Sequence, residues 1–289
     1  MSGILPYLIN ALLYAVLAIH FWRGAWRPQA GAALGGPLPI AADTHSNDSR
    51  QRSNWLDQLA VFVPLALHTA LLYRLLFADG GLHLGVGVAI SAILWLTVLI
   101  YWLGNFFYNL RGLQTLVIPI AAFCAAAPAA FPALHPLENT ASPAFRAHLL
   151  IGLLAYSLFT IASLHVILMT MLERRLHSGA MPPILHGLPP LLTMEKLLFR
   201  IIAAGFALLT LTLVSGFIFS ENLFGKPLPL THKTVFALLS WLIFALLLSG
   251  RRFYGWRGST AVRWTLAGFI TLVLAYIGSR LVLEVILQR

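Results

Sequence analysis

An all-α integral membrane protein, a bundle of about eight transmembrane helices, is predicted by two features of this 289-residue chain. Hydrophobic residues make up 59% of it and charged residues only 10%, too little polar surface for a soluble domain of this length. The apolar residues also fall in continuous runs of about 20, the length a helix needs to cross roughly 30 Å of hydrocarbon. A β-barrel would alternate polar and apolar residues in segments of about ten.

The first run, residues 4–22, is followed rather than preceded by positive charge. It lacks the basic leader region of a signal peptide and is expected as a retained span. Residues 23–56 form a long connection in which "ADTHSNDSRQRSN" reads as a polar linker. Spans at 57–77, 84–104 and 113–131 follow, the last ended by the prolines of "AAPAAFPALHPLENTASP" (126–143). The fifth span, 146–173, leads into the Pro/Gly-rich loop "HSGAMPPILHGLPP" (177–190). Spans at 196–220, 232–250 and 262–286 complete the set. The chain thus divides into a two-span N-terminal part, 1–83, and a six-span core, 84–289.

The formal charge of +10 does not point to nucleic acid, because the basic residues are spread between apolar runs. Thirteen of the 19 lie after the first, third, fifth and seventh spans, among them Arg23, Arg111, Arg174, Arg251 and Arg263. The positive-inside rule places them in the cytoplasm and both termini on the outer, periplasmic face. Arg251, Arg252, Arg257 and Arg263 read as cytoplasmic anchors, Trp256 and Trp264 as an interfacial belt, and Glu195 and Glu221 as helix-end residues. Cys124 is the one cysteine, and CxxC and CxxCH are both missing. The chain therefore carries neither a thioredoxin-like redox pair nor a covalent haem attachment site of its own. Ser-His-Asp order, phosphate loop and HExxH are missing too, so no hydrolytic chemistry is indicated.

Ten histidines are many for such a chain. His148 lies just inside the fifth span and His232 opens the seventh, so both imidazoles fall at similar depth on the outer rim. Two readings are open. The pair holds a haem iron from both sides, or each is an interfacial histidine bonded to loop carbonyls. A zinc site would need further ligands that the spacing does not supply. His68 and His165 lie within spans and need partners there. His165 follows His148 by 17 residues, about 25 Å along a helix, so the two cannot share one iron. His165 could form an inner site with His20 or His68, or make an interhelical hydrogen bond.

The stretch "HKTVFALLSWLIFALLLSGRRFYGWRG", followed by "AVRWTLAGFITLVLAYIGSRLVLEVIL", resembles the C-terminal end of the cytochrome c assembly (CcsA/CcmC) family. That family reads there as Lys-x-Thr, a Trp-bearing span, Arg, Gly-Trp-Arg-Gly, and a span with Gly-Phe and Tyr-x-Gly. "AHLLIGLLAYSLFTIASLHVILMTMLERRLH" (147–177) resembles its span that opens with an external histidine. The eight-span layout is most similar to the HemX/YpjD-like branch. The resemblance covers residues 84–289 and implies haem handling at the outer face of a bacterial inner membrane, with His148 as the first external ligand. It also implies partners, namely haem and a periplasmic assembly partner or apocytochrome. Two departures stand out: "ENLFGKPLPLT" (221–231) has no tryptophan where the family is tryptophan-rich, and "YIGSRLVLEVIL" has no histidine. His232 would then be a different second ligand. The other reading is a non-catalytic regulator or scaffold linked to tetrapyrrole synthesis, docking a soluble partner on 23–56 and 174–195. A small-solute permease is the third.

The orientation has a direct test. In a Cys124→Ser background, a cysteine at position 232 is expected to react with an impermeant maleimide on intact spheroplasts. One at position 257 is expected to react only after permeabilisation, and the reverse pattern contradicts the assignment.

Overall fold

A computed structural model describes residues 3–26, 43–77, 82–108, 110–132, 142–177, 189–224 and 232–278. Its elements are α1 (Leu5–Trp26), α2 (Asp43–Leu76), α3 (Val86–Gly104), α4 (Arg111–Ala125), α5 (Ala127–Ala130), α6 (Pro143–His177), α7 (Leu191–Phe224), α8 (His232–Tyr254) and α9 (Ser259–Val273). A π-helical turn, Leu274–Gly278, continues α9. Eight of the helical segments are long and apolar enough to cross a membrane, α4 and α5 together making one of them. The all-helical reading therefore holds.

The termini of these helices follow local chemistry. α2 begins at Asp43, within the stretch expected to be a linker, so that reading needs correcting for residues 43–56. Polarity suggested a linker, but positions 43–63 contain neither Gly nor Pro, so nothing there breaks a helix that continues from the apolar span. The rest of that expected linker from 27 to 42, and the last span beyond 278, lie outside the described residues. Pro64 and Pro119 sit inside α2 and α4, where packed neighbours make such interruptions tolerable.

α3 and α6 are the inner helices. About 67% of the apolar stretch of α3 and 56% of that of α6 is buried, against 17% for α7, which marks α7 as a peripheral, lipid-facing helix. α2 and α4 pack on α3 and α1 covers α2 and α4, while α7 and α9 pack on α6 and α8 closes against α7 and α9. The outward faces are apolar: Leu8, Leu12 and Val16 on α1, Val214 and Phe217 on α7, and Leu238, Leu242 and Leu246 on α8 are all exposed. Exposure of this extent is expected where acyl chains are the solvent.

Small residues let the outer helices approach. The rings of Phe159 on α6 and Phe244 on α8 stack at the centre, with centroids 3.9 Å apart. Gly268 on α9 and Gly205 on α7 make room for them. A methyl on Gly268 would stand 2.8 Å from Phe244 Cζ, and one on Gly205 3.2 Å from Phe159 Cε1.

The Gly-Trp-Arg-Gly turn between α8 and α9 has a similar logic. Gly255 and Gly258 both have positive φ, 65° and 57°, a region that L side chains rarely enter. The turn lays Trp256 over Gly250, where any side chain would overlap the indole, and stacks it on Trp264 with centroids 5.4 Å apart. Arg251 Nη1 donates to the Trp256 carbonyl at 3.2 Å and forms an ion pair with Glu195 of α7. Its guanidinium also lies 4.7 Å from the centroid of the Phe199 ring. Arg251, Glu195, Trp256 and Trp264 thus lock α7, α8 and α9 together, a more specific role than the anchors, belt and helix-end residue expected of them.

Gly268→Val is expected to destabilise the protein by about 2 kcal/mol through overpacking against Phe244. Gly3→Val, with nothing within 4 Å, is expected to leave stability unchanged. Thermal unfolding in detergent checks both.

Candidate functional site

At the end of the bundle where α6 and α8 begin, a cavity of about 180 Å³ opens between α3, α6, α7, α8 and the end of α9. Its walls are almost wholly apolar, and its polar groups include His148, Thr212, Tyr156 and Lys233. His148 is half-buried. Its Nδ1 lies 2.7 Å from Ser215 Oγ on α7, across the α6–α7 interface. The Ser215 hydroxyl hydrogen goes to the Thr212 carbonyl at 3.1 Å, so the oxygen accepts from His148 Nδ1–H. That assignment leaves the lone pair on Nε2, the tautomer in which imidazole ligates a metal.

Two further contacts fix the ring. Phe145, one turn earlier on α6, stacks on it with centroids 6.5 Å apart. Gly216, next to Ser215, brings the backbone of α7 so close that an added methyl would lie 3.3 Å from His148 Cε1. On the far wall, Tyr156 donates to the Leu272 carbonyl at 2.8 Å and meets Tyr276 edge-on.

His232 is not among the residues that line this cavity. It is the exposed first residue of α8, and its neighbour Lys233, about 100° further round the helix, is the α8 cation that lines the cavity. His68 Nε2 lies 2.8 Å from Ser91 Oγ on α3, and its ring meets Tyr14 of α1 edge-on. His165 Nε2 donates to the Met194 carbonyl of α7 at 3.0 Å. His20 is exposed and lies 3.7 Å from Asp57. Each inner histidine therefore has its own interhelical partner, His68 between α2 and α3 and His165 between α6 and α7. Among the described residues, no three His, Cys, Asp or Glu side chains gather in a way that could hold a metal ion.

The family model for cytochrome C assembly protein matches residues 56–287, most of the chain. The chain belongs to the cytochrome c assembly protein family. Among curated relatives it is similar to inner membrane protein YpjD of Escherichia coli K12, 33% identical over 146 residues, 50% of this chain and 54% of the relative. It is also similar to cytochrome c biogenesis protein CcsA of Prochlorococcus marinus NATL1A, 35% identical over 88 residues, covering 30% of this chain and 28% of the relative. The CcsA of Rippkaea orientalis is 33% identical over 89 residues, 31% of this chain and 26% of that protein. The chain thus spans about half the length of the YpjD relatives it matches and less of the CcsA proteins. No solved structure matches it.

Within this family fold, Ser215, Gly216 and Lys233 were not singled out by sequence reasoning. The pair Ser215–Gly216 did carry a signal, since a hydroxyl and a small residue side by side in an apolar run mark a helix contact. Lys233 stood in plain view beside His232, but only the helix phase shows which of the two enters the cavity.

Proposed function

We propose that the chain handles haem in c-type cytochrome biogenesis as a multi-pass protein of a bacterial inner membrane. His148 is the iron ligand in this reading, and the observation that carries it is the His148 Nδ1–Ser215 bond. A ligating histidine needs its other ring nitrogen held by a hydrogen-bond acceptor, and here Ser215 fills that place. The group's needs agree with the remaining walls, since leucines and the tyrosines 156 and 276 suit an apolar macrocycle and Lys233 suits a propionate.

The cavity is smaller than the roughly 300–1,000 Å³ of sites that enclose small molecules. It would therefore take an edge of a porphyrin rather than surround it. His232, exposed one residue before Lys233, is the proposed second ligand. His68 and His165 keep a structural role in this reading, because each is already held by a neighbouring helix. Bound iron would supply a coordination site at the membrane surface. The chain's own residues orient the imidazole, exclude water from the inner edge and neutralise one carboxylate. A periplasmic assembly partner or an apocytochrome would complete the process.

The test is the visible spectrum of protein purified in mild detergent from haem-replete cells. Wild type is expected to show low-spin haem, and His148→Ala to lose it. Ser215→Ala and Gly216→Val are expected to retain haem about tenfold less tightly, because a missing or displaced hydrogen-bond partner weakens ligation by roughly that factor. His232→Ala is expected to change the spin state while haem stays bound. Folded wild-type protein without haem would sink this reading and favour the membrane regulator.

A further inference from the structure

A second cavity, of about 300 Å³, lies at the opposite end of the bundle, where α4 and α7 begin and α6 passes. Its polar lining includes Tyr108, His165, Thr193, Lys196 and Arg200, and leucines of α4, α6 and α7 form the inner wall. Lys196 and Arg200 are one turn apart on α7, and no carboxylate lines the cavity among the described residues. Glu195, the nearest acid in sequence, is committed to Arg251. Thr193 and Met194 are in the first turn of α7 and their N–H groups bond the Pro190 carbonyl, so this end of the helix adds only the positive end of its dipole to the two cations.

Cations near a helix end are commonly placed there simply to reach headgroups. His165 separates this cavity from that case. It is 3% exposed and lines the cavity, and its Nε2 hydrogen goes to the Met194 carbonyl. The remaining nitrogen, Nδ1, is buried with no hydrogen-bond partner among the described residues. An acceptor left unmatched at membrane depth is costly. A ligand bearing both an anion and a hydroxyl would answer the two cations and this nitrogen.

We propose that this cavity binds a phosphate ester carrying a hydroxyl. Lys196 and Arg200 take the phosphate oxygens, with the positive end of the α7 dipole behind them, and His165 Nδ1 accepts the hydroxyl hydrogen. Two sources offer that chemistry: the phosphoglycerol headgroup of an anionic phospholipid, and a soluble ester such as glycerol 3-phosphate. The leucine wall is suited to the start of an acyl chain. The site is separate from His148 and does not depend on the haem reading.

The test is native mass spectrometry of delipidated full-length protein in detergent, incubated with phosphatidylglycerol, with glycerol 3-phosphate or with uncharged diacylglycerol. Wild type is expected to hold one phosphatidylglycerol and no diacylglycerol. Lys196→Gln/Arg200→Gln is expected to reduce that occupancy at least tenfold. The pair Arg257→Gln/Arg263→Gln, which removes two cations from the same end without touching the cavity, is expected to leave it unchanged. Lys196 and Arg200 are exposed on their outer sides, so their replacement is expected to leave the fold intact, and gel filtration checks this. His165→Phe tests the hydroxyl contact separately and is expected to weaken phosphatidylglycerol while sparing phosphatidic acid, which has no such hydroxyl. Binding of glycerol 3-phosphate without the lipid identifies a soluble ligand and supports the proposal. Equal occupancy in all variants, or no adduct with either phosphate compound, overturns it. Loss of haem rather than lipid in the Lys196/Arg200 variant overturns it too.

Discussion

A polar side chain on a membrane-spanning helix must find its partner inside the bundle, and that constraint organises this protein. The indole N–H groups show it most plainly. Trp22 donates to the Thr115 carbonyl, Trp95 to Thr69 Oγ1, Trp102 to the Gln58 carbonyl and Trp241 to Thr210 Oγ1, each bond joining two helices. Threonines also bond back to the carbonyl four residues earlier, with an indole neighbour, as Thr69 does to Leu65 and Thr210 to Phe206, or without one, as Thr97 does to Ile93 and Thr170 to Val166. Helix order is thus specified by a few directional bonds laid over unspecific apolar contact. Arg251 follows the same rule at higher stakes, since its charge is balanced by Glu195 while the turn carbonyl of Trp256 takes one of its hydrogens.

The two histidines with the clearest surroundings follow this constraint in different ways. His165 satisfies one nitrogen on a backbone carbonyl and leaves the other buried without a hydrogen-bond partner among the described residues, in a side chain that lines a basic cavity. His148 places its Nδ1 on a hydroxyl that is itself anchored, and so presents a defined tautomer at an apolar one. His148 lies near the start of α6 and His165 well along the same helix. One long inner helix therefore supports two chemically distinct cavities, one suited to an apolar disc with a carboxylate edge and the other to a hydroxylated anion.

The spans were legible in the sequence because hydropathy reports on the solvent a helix sees, and among the described residues each span expected from it is helical. The start of α2 was not legible, since polar residues without Gly or Pro suit a linker and a helix equally well. Family membership was legible from Gly-Trp-Arg-Gly and its flanks, and the structure gives the motif its physical reason: two left-handed glycines and an indole that needs a bare Gly250. The surroundings of the candidate site were only half legible. His148 announced itself by depth and position, but its partner Ser215 is 67 residues away on another helix. Nor does sequence spacing say which of His232 and Lys233 turns inward, because the answer depends on the rotation of α8 against α7 and α9.

The central claim is that His148, held by Ser215, presents Nε2 to a haem iron. Removing the side chain and restoring its chemistry from solution tests this most directly. In His148→Gly protein supplied with haem, the low-spin spectrum should be lost and then return on adding imidazole, which can occupy the vacated space. A His148→Gly spectrum identical to wild type, unmoved by imidazole, would place the iron elsewhere and contradict the account.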